Sequence, residues 1–164
     1  MAWELLVLSV EISSRVISGG FDIRTPFGAF SAKIPFLAPT SETLVFDQQE
    51  NQIARIGLES FASGNHSIVI SGGGYYSFGR NEKAKRTWTC KGERRLLSIS
   101  EGSKGRFSIS DRDQEIAEAK KAWLTGDFAI SVLKDADFRL VVCILIALCV
   151  QEDQGAGVEM SIGG

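Results

Sequence analysis

The chain has 164 residues, a formal net charge of −2, 23% charged and 44% apolar residues. That length suits one core, and the composition excludes a disordered polyampholyte and a globally basic nucleic-acid binder. The three cysteines, Cys90, Cys143 and Cys149, are odd in number and lack Cys-x-x-Cys spacing, which excludes a disulfide scaffold and a zinc site. Buried thiols in a reducing, cytoplasmic compartment are the simpler expectation.

The N-terminal MAWELLVLSVEISSR places Glu4 inside its apolar patch and lacks a basic start, so it reads as a strand and not as a signal peptide. Short period-2 stretches follow: FDIRTPFGAFSAKI, TLVFDQQENQIARIGL, SIVISG, RTWTC, LLSIS and RFSISD, each bounded by turn residues. They predict a succession of short antiparallel strands. Pro26, Pro35 and Pro39 fall near the ends of apolar stretches, as edges and turns allow. EIAEAKKAW has good helix propensity but alternates, and GDFAISVL behind it is a natural hairpin partner, so strand is expected there.

His66 is the single histidine and sits in the polar SGNHS, where a surface turn is expected. With no second histidine, no Cys-His pairing and no Gly-x-Ser-x-Gly elbow, nucleophilic or metal catalysis has little to rest on. SGGGYYSFGR is glycine-rich but lacks the order of a phosphate-binding loop and the helix that should follow it, so it reads as a turn between strands. Tyr75, Tyr76 and Phe78 would cover the rim of a barrel or insert into an interface.

Charge is distributed unevenly. Nine of the eighteen basic residues lie between Arg80 and Arg106, against Glu82, Glu93 and Glu101. Such a segment can hold phosphates of lipid headgroups or of nucleic acid. Clustering nominates Lys83, Lys85, Arg86, Arg94 and Arg95, although on a strand Arg94 and Arg95 would face opposite ways. The competing reading is a pair of solvated strands whose outward residues happen to be basic. Asp111, Asp113 and Glu115, and Asp127, Asp135 and Asp137 beyond them, do not fit an EF-hand frame and read as hairpin turns and a helix cap.

The closing FRLVVCILIALCVQED holds eleven consecutive apolar residues, Leu140 to Val150. A membrane-spanning helix needs about 20, so this predicts a deeply buried helix over about 136–150, capped by Asp135 or Asp137. A helix apolar on every side must be surrounded, and with only short strands available the economical enclosure is a β-barrel or a strongly curved sheet. The β-branched Val141, Val142, Ile144 and Ile146 support a buried strand as the opposing case, against which length argues. The QEDQGAGVEMSIGG that follows reads as a short return strand and a tail, 156–164, beyond a single domain of residues 1–155.

Residues 20 to 155 resemble the tubby C-terminal-like superfamily, in the branch of the LURP-one-related proteins and phospholipid scramblases. The likeness lies in the Phe-x-Ile-x-x-x-x-Gly turns, as in FDIRTPFG, then in FSISDRDQEIAEAKKAW, then in GDFAISVLKDADFRLVVCILIALCVQED. The resemblance implies a closed antiparallel barrel of about twelve strands around a central hydrophobic C-terminal helix. It also implies a non-enzymatic, peripheral module without cofactor that binds phosphoinositide headgroups through surface Lys and Arg. Two alternatives stand beside it: a scramblase-like, Ca²⁺-responsive lipid-handling protein, which DADF faintly echoes, and a structural or protein-interaction domain whose basic segment is incidental.

Overall fold

A computed structural model describes residues 7–14, 20–25, 28–33, 42–59, 64–81, 83–121, 127–133 and 137–163, with backbone alone for 7–14 and 152–163. Twelve strands follow one another. β1 (Val7–Ser14), β2 (Phe21–Thr25), β3 (Gly28–Lys33) and β4 (Thr43–Phe46) lead to β5 (Gln52–Leu58), β6 (His66–Ile70), β7 (Gly74–Arg80) and β8 (Thr87–Lys91). β9 (Leu96–Glu101), β10 (Arg106–Asp111), β11 (Gln114–Lys121) and β12 (Phe128–Leu133) complete the series before the helix α1 (Phe138–Gly163). Every strand pairs antiparallel with its chain neighbours, and β1 pairs with both β2 and β12, so the ladder returns on itself as a closed barrel. Closure leaves no strand edge with unsatisfied backbone groups.

Alternation decides which side chains fill the interior. Phe21 and Ile23 of β2, Ala54 and Ile56 of β5, Phe78 of β7, Ile99 of β9 and Ile109 of β10 point inward and are almost fully enclosed. Trp88, Phe107 and Phe128 form an aromatic chain with centroid separations of 6.2 and 5.7 Å. Two bulges lie where the pairing register shifts, between Val45 and Phe46 on β4 and between Ile109 and Ser110 on β10. At the second, Ile116 is the extra residue on β11, so Ile116 and Ala117 are both buried. Such bulges bend and twist a sheet locally, which assists closure.

Leu140 to Cys149 are all buried, in one cluster with the inward residues of the strands. These ten residues rise about 15 Å, close to the length of about 17 Å of a five-residue strand. The apolar run is therefore about as long as the barrel is deep. Asp137 begins the helix: its Oδ1 accepts from the Arg139 amide at 3.2 Å, and its carbonyl accepts from the Val141 amide at 3.2 Å. At the far rim Gln151 Nε2 donates to the Gly64 carbonyl at 3.2 Å.

A mainly β, antiparallel fold with one apolar C-terminal helix is thus present, with EIAEAKK on β11 as a strand. Two boundaries differ from expectation. The helix runs from Phe138 instead of about 136, and the supposed return strand and tail of 156–164 are helical through Gly163. Once a packed segment has nucleated a helix, each further turn costs little, so polar residues and two glycines do not end it. Asp135, Pro26, Pro35, Pro39, Glu82, Trp123 and residues 1–6 lie outside the described residues.

Ile144, fully enclosed near the middle of the buried run, tests the enclosure. Ile144→Ala should lower unfolding free energy by about 2 to 5 kcal/mol in urea titration, and Ile144→Asp should yield no folded monomer. A folded, soluble Ile144→Asp protein would refute a fully enclosed helix.

Candidate functional site

In an up-and-down meander, successive turns alternate between the two ends of the barrel. The turns after β4, β6, β8 and β10 therefore share one end with the N-terminus of α1, and those after β5, β7 and β9 share the other. This parity divides the basic segment. Lys83, Lys85 and Arg86 occupy the turn after β7, and Arg94 and Arg95 the turn after β8. The five residues of β8 separate the two groups by about 17 Å. The five nominated cations thus form no single site.

The β7–β8 turn is exposed. Asn81 Oδ1 accepts from the Lys83 amide at 3.0 Å, Thr87 Oγ1 donates to the Lys85 carbonyl at 3.1 Å, and the Arg86 carbonyl accepts from the Glu101 amide at 2.9 Å. Arg80 beside it lies 5.8 Å over the Trp88 ring. Lys83, Lys85 and Arg86 project into solvent.

At the opposite end Arg94 and Arg95 sit in the β8–β9 turn and not on a strand, so the alternation that would have split them does not apply. Both line two adjoining grooves. The larger, of about 510 Å³, is bounded by Gly73, Gly74, Tyr75 and Tyr76 on one side and by Lys91, Gly92 and Glu93 on the other. The second, of about 350 Å³, adds Asp111, Arg112 and Gln114 over a floor of Ile116 and Leu133. Four cations, Lys91, Arg94, Arg95 and Arg112, face two carboxylates, Glu93 and Asp111. Arg95 donates from Nη2 to Asp111 Oδ2 at 3.2 Å and from Nε at 3.3 Å, which positions its guanidinium while offsetting its charge. No ion pair among the described residues engages Lys91, Arg94 or Arg112.

Backbone geometry adds to this end. Arg112 has φ 57°, a left-handed conformation that costs a non-glycine residue roughly 1 kcal/mol. In the β6–β7 turn Gly72 and Gly74 have φ 71° and 97°. A Cβ on Gly73 would press on Ile70 Cγ2 at 2.7 Å, and it would lie 3.7 Å from Arg139 Nη2. Arg139, whose Nε is 3.5 Å from Asp137 Oδ1, thus lies beside the glycine turn, and the positive end of the α1 dipole is at the same rim. Arg112 and Arg139 lie outside the basic segment, and only turn parity could have linked them to KGERR.

The other chemical candidates resolve as structure. His66 is not in a surface turn: it opens β6 with its side chain inward and only 1% exposed. The period-2 series His66, Ile68, Ile70 carried that signal, overridden by the polar residues before it. Gln151 Nε2 lies 3.1 Å from His66 Nδ1, so the neutral ring keeps its proton on Nε2, a buried atom with no hydrogen-bond partner among the described residues. Burial holds its pKa below the ordinary 6.5, against the opposing pull of the Gly64 backbone, which favours the protonated ring. Burial likewise pushes the Cys90 and Cys143 thiols up to about 12, which leaves them protonated and unreactive. Asp111 is committed to Arg95 and Asp137 to the helix cap, and no three His, Cys, Asp or Glu among the described residues could hold a metal ion. No helix among the described residues is long and apolar enough to cross a membrane.

No family model matches the sequence, and no curated protein matches it either. The fold is similar to the X-ray structure of a protein from Arabidopsis thaliana, with a TM-score of 0.52 and 16% identity over 88% of this chain and 91% of that one. At that identity the likeness concerns the fold alone.

Because the folded-state pKa of His66 is depressed, the unfolded chain binds the proton more readily. The stability that neutral His66 gives is complete above about pH 6.5 and declines as pH falls through the unfolded value, levelling off below the folded one. Urea midpoints between pH 7.5 and 5.5 should therefore drop less in His66→Asn than in the parent protein; an equal drop in both would contradict this assignment.

Proposed function

We propose that the protein is a non-enzymatic binding module, a tubby-like barrel that holds anionic phosphate headgroups at a membrane surface through the grooves at the α1 N-terminal end. The observation that carries this reading is the convergence of Lys91, Arg94, Arg95 and Arg112 on adjoining concave surfaces of a size suited to a small ligand. The three guanidiniums suit the bidentate recognition of phosphate, and Arg95 is held in position by Asp111.

The reading revises the nominated residues. Arg94 and Arg95 remain, Lys91 and Arg112 join them, and Lys83, Lys85 and Arg86 become solvated turn residues. A catalytic reading has less support: the single histidine is buried at the opposite rim from the groove, and Cys90 and Cys143 stay protonated. The Ca²⁺-responsive alternative gains nothing from acids already engaged by Arg95 and the helix cap.

Vesicle co-sedimentation tests the proposal. Binding should require phosphatidylserine or phosphoinositide and weaken as salt rises, because each cation near an anionic surface contributes about 1 kcal/mol and is screened. Changing Lys91, Arg94, Arg95 and Arg112 to Gln together should weaken it by about a hundredfold or more, whereas Lys83→Gln with Lys85→Gln and Arg86→Gln should have a much smaller effect. Equal binding to neutral vesicles, or loss confined to the second variant, would refute the assignment.

A further inference from the structure

The two large apolar side chains most exposed among the described residues are Tyr75 and Leu96, each 52% exposed. Both lie at the rim that carries the cationic grooves. Isolated exposed apolar residues are ordinary on a protein surface, so their placement has to carry the argument.

Strand register supplies that placement. Ser77 pairs with Lys91 and Lys91 with Leu96, while Tyr75 lies two residues nearer the tip on the same outward face of β7 as Ser77. Two strand spacings and two residues put Tyr75 and Leu96 about 12 Å apart. Lys91 lies between them, and the turn bearing Arg94 and Arg95 projects just beyond. The outward surface therefore reads aromatic, cationic, apolar across three adjacent strands and ends in a cationic turn; the Tyr75 hydroxyl is hydrogen-bonded to Glu59, a contact that insertion has to exchange for the headgroup layer. That order is complementary to the interfacial layer of an anionic bilayer, where charged headgroups overlie acyl chains. A soluble phosphate compound offers nothing for the flanking side chains.

We propose that Tyr75 and Leu96 insert into the interfacial layer of an anionic bilayer on either side of the bound headgroup, so that the α1 N-terminal end of the barrel faces the membrane. The inference rests on the headgroup reading above and adds to it an apolar contact and a fixed orientation. Electrostatic attraction brings the rim to the surface and fades with salt; the inserted side chains supply a component that high salt does not remove.

The cysteine inventory allows a site-specific test, because Cys90, Cys143 and Cys149 are all buried. Tyr75→Cys, Leu96→Cys and, at the opposite end, Lys85→Cys can each be labelled with an environment-sensitive NBD fluorophore. With phosphatidylserine and phosphoinositide vesicles, probes at 75 and 96 should brighten and shift to the blue, and the probe at 85 should not. In parallel, Leu96→Ser should reduce vesicle partitioning about threefold or more while its calorimetric affinity for soluble inositol phosphate stays within about twofold. Vesicle binding without a response at 75 and 96 overturns insertion and leaves headgroup binding standing. Failure of both vesicles and soluble inositol phosphate to bind overturns the headgroup reading and insertion with it, and a response at 85 overturns the orientation.

Discussion

The fold depends on one constraint: a helix with no polar face from Leu140 to Val150 has to be removed from water on every side. A flat sheet could cover one side of it and a second layer another, but beside the helix the described residues offer chiefly strands of four to eight residues. Rolling them into one closed ladder covers the helix completely and satisfies the backbone of every strand in the same step. The wall is fitted to its content. Ala32, Ala54, Cys90, Ala117 and Ala119 are small where they face inward, alternating with Phe, Ile and Trp, so that the helix and the large side chains share the interior.

Enclosure of this kind moves function to the ends. The inner face is consumed by the helix and the ladder has no free edge, which leaves the two rims and the outer wall. Strand polarity then determines which turns can cooperate, since only alternate turns meet at one rim. The rim at the start of α1 gathers the β6–β7, β8–β9 and β10–β11 turns, and with them Tyr75, Lys91, Arg94, Arg95 and Arg112. The other rim holds the exit of the helix, pinned where Gln151 meets Gly64 and His66. One end of the axle therefore carries a ligand-sized concavity, while the other carries a buried polar lock sensitive to acid.

Much of this was legible in the sequence, for identifiable reasons. Period-2 alternation bounded by turn residues marked the strands, and even the helix-prone EIAEAKK yielded to it because its partner GDFAISVL followed directly. The unbroken apolar run marked the axle. Two things were obscured. His66 shares parity with Ile68 and Ile70, but the polar residues before it resembled a turn, and a lone imidazole gives no hint of the Gln151 side chain far along the chain that receives it. The candidate site was legible only in part, because proximity along the chain is not proximity in space across a barrel. Lys85 and Arg94 are nine residues apart yet lie at opposite rims, whereas Arg94 and Arg112 are eighteen apart and line one groove. Counting strands between turns recovers that grouping; local charge density does not.

The measurement closest to the central claim is native-state hydrogen exchange of the α1 amides. A helix wholly enclosed by a closed ladder cannot open while the barrel stays intact, so amides from Val142 to Cys149 should exchange only through global unfolding. Their opening free energies should then equal that from urea denaturation and match those of central amides in β6 and β10. If these amides exchange at markedly lower free energy than the surrounding strands, the helix leaves its enclosure locally and is not the element on which the fold depends.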